Sequence, residues 1–183
     1  MADYKYILLE KDKDTHIARL TLNRPDRRNA LNDVMQDELG DALEDVDADD
    51  SVRVLIITGA GNSFCAGGDL AALRGGSEPS AWVSDNPDEI RRAFNRTQRF
   101  MLALQRLEKP VIAMVNGVAV GAGLDLAAGC DIRIGTPRTR FMCAYIKIGL
   151  FPGFGGTWLY PRVLGSLGKA AEMLFTGDFM EAD

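Results

Sequence analysis

One histidine and three cysteines in 183 residues leave few of the side chains that bind metals or run nucleophilic triads. The histidine, His16, falls in or beside an early strand, and an odd number of cysteines without metal-site spacing reads as reduced thiols, neither a disulfide framework nor a zinc site. Cys65 therefore has no histidine to activate its thiol as a nucleophile. Long apolar runs are missing as well. No stretch approaches the roughly 20 apolar residues that cross a bilayer. Residues 1–10 mix both charges, unlike a secretory signal or a transit peptide, so a soluble, cytoplasmic chain without a membrane partner is expected. The sequon Asn95-Arg96-Thr97 has no use in that compartment. A positive balance is also absent. With 26 acidic against 21 basic residues the net charge is -5, which argues against a nucleic-acid partner, although Arg24, Arg27 and Arg28 form a local basic patch.

What is present is a core and two unusual turns. At 46% hydrophobic and 26% charged residues, the chain fits one globular domain. The turns are Phe64-Cys65-Ala66-Gly67-Gly68-Asp69-Leu70 and Asn116-Gly117-Val118-Ala119-Val120-Gly121-Ala122-Gly123-Leu124-Asp125. Each follows a strand-like run and leads into a helix-like one, so each can present free backbone N–H groups at a helix start. Two such turns on one pocket make an oxyanion hole for an enolate or a tetrahedral intermediate. A nucleotide reading fails: Gly121-Ala-Gly123-Leu-Asp-Leu126 lacks the third glycine of a dinucleotide fingerprint, and no Gly-Lys-Ser/Thr phosphate loop occurs.

Along the chain, Ala18, Leu20 and Leu22 alternate with Arg19 and Thr21 as in a half-buried strand. Asn32 is placed to cap a helix from about Asp33, with Met35, Leu39, Ala42, Leu43 and Val46 on one face and the acidic run 45–50 in solvent at its exit. Residues 52–58 read as a strand covered on both faces. After a loop with Gly75, Gly76, Pro79 and Pro87 comes a second long helix, with Ile90, Phe94, Thr97, Met101, Leu104 and Glu108 at helical spacing and a stop at Lys109-Pro110. Residues 111–115 and 118–120 then repeat the order seen over 52–73. Shorter strands are expected at 132–134 and 140–143, and helices from Gly153-Phe154-Gly155-Gly156 toward Val163 and over 167–175.

At this point the residues resemble the crotonase, or enoyl-CoA hydratase/isomerase, superfamily. The resemblance rests on Leu22-Asn23-Arg24-Pro25 with Asn29-Ala30-Leu31-Asn32, the first glycine turn, and Lys109-Pro110-Val111-Ile112-Ala113 with Asn116-Gly117. It continues through Gly121-Ala122-Gly123, Cys130-Asp131-Ile132-Arg133 and Gly149-Leu150-Phe151-Pro152-Gly153-Phe154-Gly155-Gly156-Thr157. It implies an α/β fold, a spiral of repeated strand-strand-helix units spanning 1–183 as an acyl-CoA-binding core, assembled in relatives as trimers or hexamers. Family chains usually continue into C-terminal helices. Here Asp183 falls in the middle of what should be a helix, so the C-terminal helical region is expected to be absent.

The same resemblance implies an acyl-CoA thioester as partner, with CoA part of the substrate, and neither a cofactor nor a metal. It implies oxyanion donors at the N–H groups of Gly68 and Ala122. Contacts to the CoA moiety are implied at Arg28 and Ala30, and contacts flanking the thioester at Ala66, Leu70 and Gly121. Asp69 is counted with these substrate-binding positions and is expected to serve the helix start or the structure, not to act as a catalyst. Hydratases of the family carry two glutamates, at positions held here by Asp125 and Tyr145. Asp125 keeps a carboxylate near a helix start, and Tyr145 is either a hydrogen-bond donor or a packed aromatic. The expected function is an enoyl-CoA hydratase/isomerase type of enzyme acting through a thioester enolate, with Asp125 as acid/base and Tyr145 as auxiliary donor. The alternatives are hydrolysis, carbon–carbon cleavage or decarboxylation of a CoA ester in the same fold, or a non-catalytic acyl-CoA-binding or assembly subunit.

Overall fold

The computed structural model describes residues 3–70 and 84–181. Strand β1 (Ile7–Asp12) forms an antiparallel hairpin with β2 (Ile17–Leu22), Ile7 opposite Leu22 and Asp12 opposite Ile17. The Asp12 carboxylate closes the turn by accepting the Asp14 and Thr15 N–H groups. Strand β1 is an element that the sequence reading did not resolve. Along β2, Ala18, Leu20 and Leu22 are fully buried, as alternation requires.

Helix α1 (Asp33–Asp47) starts where Asn32 accepts the Met35 N–H at 3.0 Å, satisfying one of the orphan donors of the first turn. Its buried face is the expected one, widened by Gln36 and Gly40. The acidic exit is more than solvated charge. Asp45 and Asp49 both pair with Lys11, at 2.9 and 2.8 Å, and the Lys11 bond to Asp49 together with Ser51 holds the Asp49 carboxyl well below its ordinary range.

Strand β3 (Val54–Gly59) lies parallel to β2 on one side and to β4 (Val111–Val115) on the other; Leu55 and Ile57 are fully buried while Val54 and Ile56 are half-buried, so one face is less covered than its apolar run predicts. The helix expected after the first glycine turn, and the loop residues Gly75, Gly76 and Pro79 expected after it, lie outside the described residues beyond Leu70. Helix α2 (Pro87–Arg106) is capped by Asn86. It buries Ala93, Thr97, Phe100, Met101 and Leu104, leaves Ile90 and Phe94 half-buried, and ends before the exposed Glu108. The contact face is thus turned slightly from the one read by spacing, because α2 packs on α1. Arg96 reaches Asp33 and Asp37, and Arg99 reaches Asp41 and Glu44 across that contact.

Strand β5 (Val118–Val120) leads into α3 (Ala122–Gly129), followed by β6 (Ile132–Gly135) and β7 (Arg140–Met142). A 3-10 turn (Ala144–Ile148) precedes α4 (Gly156–Leu164) and α5 (Leu167–Thr176). The larger sheet runs β1-β2-β3-β4-β6. The smaller is β5-β7-β8, where β8 (Phe179–Glu181) pairs antiparallel with β7. The helix expected around Asp183 lies outside the described residues. Gly177, in the left-handed region at φ 58°, donates its N–H to Met173 O and ends α5, and the residues after it find a strand partner in β7.

Candidate active site

Beta-type bridges bring the two glycine turns together. Cys65 pairs with Ala119: its N–H donates to Val118 O at 3.1 Å, and Val120 N–H donates to Cys65 O at 2.9 Å. One step on, Leu31 N–H donates to Gly67 O at 2.8 Å and Asp69 N–H to Leu31 O at 3.0 Å. That parallel bridge brackets Gly68 and leaves its own N–H out of the ladder. Gly67 makes the turn possible with φ 97°. A Cβ there would stand 2.8 Å from Val120 O. Across from it, Gly121 at φ 51° opens α3, so Ala122 occupies the first helical position with a free N–H. Among the described residues, neither the Gly68 nor the Ala122 N–H has an acceptor.

Both turns border one cavity of about 160 Å³. Ala66, Gly68, Asp69, Leu70, Gly121 and Ala122 line it, together with Tyr145. The rest of the wall is mostly apolar and includes Ile148, Leu150, Phe151 and Phe154. Phe151 stacks on Phe94 of α2 at a centroid separation of 6.2 Å. Arg28 and Ala30 are not on this wall. Arg28 joins its edge through the backbone, where Ala66 N–H donates to Arg28 O at 3.0 Å.

Asp69 is held by Arg24 at 2.9 Å in a largely buried pair. The same guanidinium donates to Ala30 O at 2.6 Å and lies over the Tyr6 ring. Arg24 is thus withdrawn from the basic patch, which corrects the reading of three surface arginines. Asp69 takes the structural place expected of it.

The acid/base candidates occupy two depths. Tyr145, in the 3-10 turn, is on the cavity wall, and a Cβ on Gly121 would meet its phenol end at 3.8 Å. Asp125, in the first turn of α3, is fully buried and stands behind it, off the wall. Tyr145 Oη donates to Asp125 Oδ2 at 2.5 Å, and Tyr160 Oη donates to Asp125 Oδ1. Burial raises the Asp125 carboxyl and the two hydroxyl bonds oppose it, the net result being a rise to about 6. Burial, with the adjacent carboxylate, raises both phenols well above their ordinary value. Tyr145 is therefore both packed and bonded.

Tyr160 escaped the sequence reading. A usable signal was its position one helical turn after Gly156, where a Cβ would collide with Asp125 Oδ1 and approach the Tyr160 ring to 2.7 Å. Glycine there lets α4 come close enough for its tyrosine to reach α3. Cys65 is buried with its thiol pushed up to about 12, and His16 bonds Ser51 O at 2.8 Å through Nδ1. Neither enters the site.

Two glycine turns with unbonded amides thus border one mostly apolar cavity in an α/β protein, with the buried Asp125 behind its wall. The chain belongs to the enoyl-CoA hydratase/isomerase family, whose sequence model matches residues 12–183. It is similar to a Mycobacterium tuberculosis protein named "Probable enoyl-CoA hydratase echA14", at 43% identity, covering 96% of this chain and 64% of that one. It is also similar to the 1,2-epoxyphenylacetyl-CoA isomerase of Escherichia coli, at 41% identity, covering 98% of this chain and 65% of the relative. The crystal structure of an enoyl-CoA hydratase from Mycobacterium smegmatis superposes with a TM-score of 0.84 at 36% identity, covering 98% of this chain and 65% of the other. The chain thus spans just under two thirds of the length of these relatives. Among the described residues, no helix is long and apolar enough to cross a membrane.

Proposed function

We propose that this chain is the acyl-CoA-binding core of an enzyme that moves a proton on an enoyl-CoA thioester, an isomerase in preference to a hydratase. The relatives' names cover both reactions, so the distinction rests on the site. The thioester oxygen sits between the Gly68 and Ala122 N–H groups. When a proton leaves the α or γ carbon, the electron pair moves onto that oxygen, and the two donors stabilise the enolate, each by roughly 3 to 4 kcal/mol. Tyr145 Oη takes the carbon-bound proton as its own hydroxyl proton passes to Asp125. The reverse transfer, to a different carbon, completes the isomerisation. A free phenolate is not required. The transfer is coupled to a carboxylate whose affinity for a proton lies near neutrality.

The observation that carries this reading is the pairing of Asp125. The family resemblance implies that water addition uses two carboxylates open to a water, whereas of those two positions only Asp125 carries a carboxylate here, fully buried with a tyrosine hydroxyl on each oxygen. The mostly apolar wall suits a hydrocarbon acyl group, and the proton transfer proposed here uses neither cofactor nor metal. Assembly as a trimer or hexamer, and a cytoplasmic location, belong to the same proposal. Saturated, enoyl, dienoyl and carboxyacyl-CoA esters incubated in deuterated water and read by mass spectrometry test it. Deuterium uptake into an enoyl-CoA without net water gain is expected. Water addition, loss of carbon dioxide or release of free CoA would replace this chemistry, and unaltered esters that nevertheless bind would make the chain a binder.

A further inference from the structure

We infer that Tyr160 is a positioning residue that fixes the Asp125 carboxylate behind Tyr145 and keeps it anionic at neutral pH. The inference rests on the acid/base reading above, and it concerns a residue outside the two family positions. Asp125 has two oxygens and two donors from different elements: Tyr145 of the 3-10 turn on Oδ2 and Tyr160 of α4 on Oδ1. With only the first bond, a buried carboxylate would be free to turn about its terminal torsion and to share either oxygen with Tyr145. The second bond removes that freedom. It also supplies the hydrogen bond that a fully buried charge needs if it is to stay charged.

The packing is arranged for this contact. Gly156 leaves room for Asp125 Oδ1 and the Tyr160 ring where any side chain would collide, and Tyr160 is itself only 2% exposed. Tyr160 is not on the cavity wall, so it acts through Asp125. The other titratable groups acting on this cluster are the thiols of Cys143 and Cys65, both buried. Neither supplies a charge that could substitute for the hydroxyl.

The test is Tyr160→Phe, which keeps the ring and deletes the donor. Aspartate labelled with carbon-13 at the side-chain carboxyl reports the Asp125 titration by NMR in the ligand-free chain, assigned with Asp125→Asn. The inference expects the Asp125 midpoint to rise by about one pH unit in Tyr160→Phe. An unmoved midpoint overturns it, whatever the activity does. The pH profile of deuterium incorporation is read separately. An acid limb that moves up with the NMR midpoint supports both readings. A moved midpoint with an unmoved limb keeps Tyr160 as the positioner of Asp125 and removes Asp125 from the proton transfer. If the variant does not fold, the unaltered chain decides. A slowly exchanging, downfield Tyr160 hydroxyl proton that is lost as Asp125 protonates supports the inference, and its absence at neutral pH overturns it.

Discussion

The two glycine turns meet at one cavity but are built differently. The first, around Gly67 and Gly68, is a length of backbone pinned by Leu31 on one side and Val118 to Val120 on the other, with Asp69 tied down by Arg24. It brings to the wall a donor and a carboxylate, Asp69, that is already paired with Arg24. The second, at Gly121 and Ala122, opens a helix in which Ala122 through Ala128 are all buried, and it carries the acid with it. A hydrogen-bonded frame is enough to aim an N–H. Holding an ionised carboxylate away from water takes a packed helix and two hydroxyl donors. Changes at the first turn should therefore act through backbone geometry, and changes behind the second through protonation.

The sharpest break in that comparison is Asp125→Asn. Turnover should fall by roughly 10²- to 10⁴-fold while acyl-CoA affinity stays within a few fold, read by steady-state kinetics and calorimetry. Equal turnover would remove Asp125 from the chemistry.

The same variant isolates the pH dependence of stability. The Asp125 carboxyl is raised in the fold from its ordinary 3.8 to about 6, so the folded chain holds this proton more tightly than the unfolded chain does. Its favourable contribution is complete below about pH 4 and is lost as pH rises through about 6. Denaturant unfolding should show the unaltered chain losing about 3 kcal/mol relative to Asp125→Asn across that window, with a constant difference above it.

Within the first turn, neighbouring glycines should separate cleanly. Gly67→Ala places a side chain at φ 97° and 2.8 Å from a carbonyl oxygen, a combination that should cost on the order of 3 kcal/mol in unfolding free energy. Arg24→Ala deserts a largely buried Asp69 and should cost about 2 kcal/mol with little change in the pH profile of turnover. Gly68→Ala comes last. Among the described residues a Cβ there meets nothing within 4 Å and the N–H is retained, so stability should change by less than about 1 kcal/mol.

Most of the frame was legible because it is written in local patterns. The alternation of Ala18, Leu20 and Leu22, the Asn32 cap, and the 3.6-residue spacing of Met35, Leu39, Leu43 and Val46 each encode an element within a few residues. The glycine motifs likewise announced that Gly68 and Ala122 would share a cavity. What escaped was long-range or weakly patterned. Strand β1 carries Leu8 at 47% exposure beside charged residues, and its pairing with β2 decides it where alternation does not. Arg24 looked like a surface charge until Asp69, 45 positions on, was brought beside it. The depth difference between Asp125 and Tyr145 depends on Tyr160 arriving from α4, and no local spacing encodes an approach across 35 residues.

The most direct test of the central claim is the carbonyl stretch of a carbon-13-labelled enoyl-CoA thioester bound to the chain, read by isotope-edited infrared spectroscopy. Two N–H donors polarising the oxygen should lower its frequency relative to free thioester, with part of that shift lost in Gly68→Pro, which removes one donor. A bound thioester with its carbonyl stretch unshifted from water would contradict the account, because the paired glycine turns would then not be holding the oxygen on which the enolate forms.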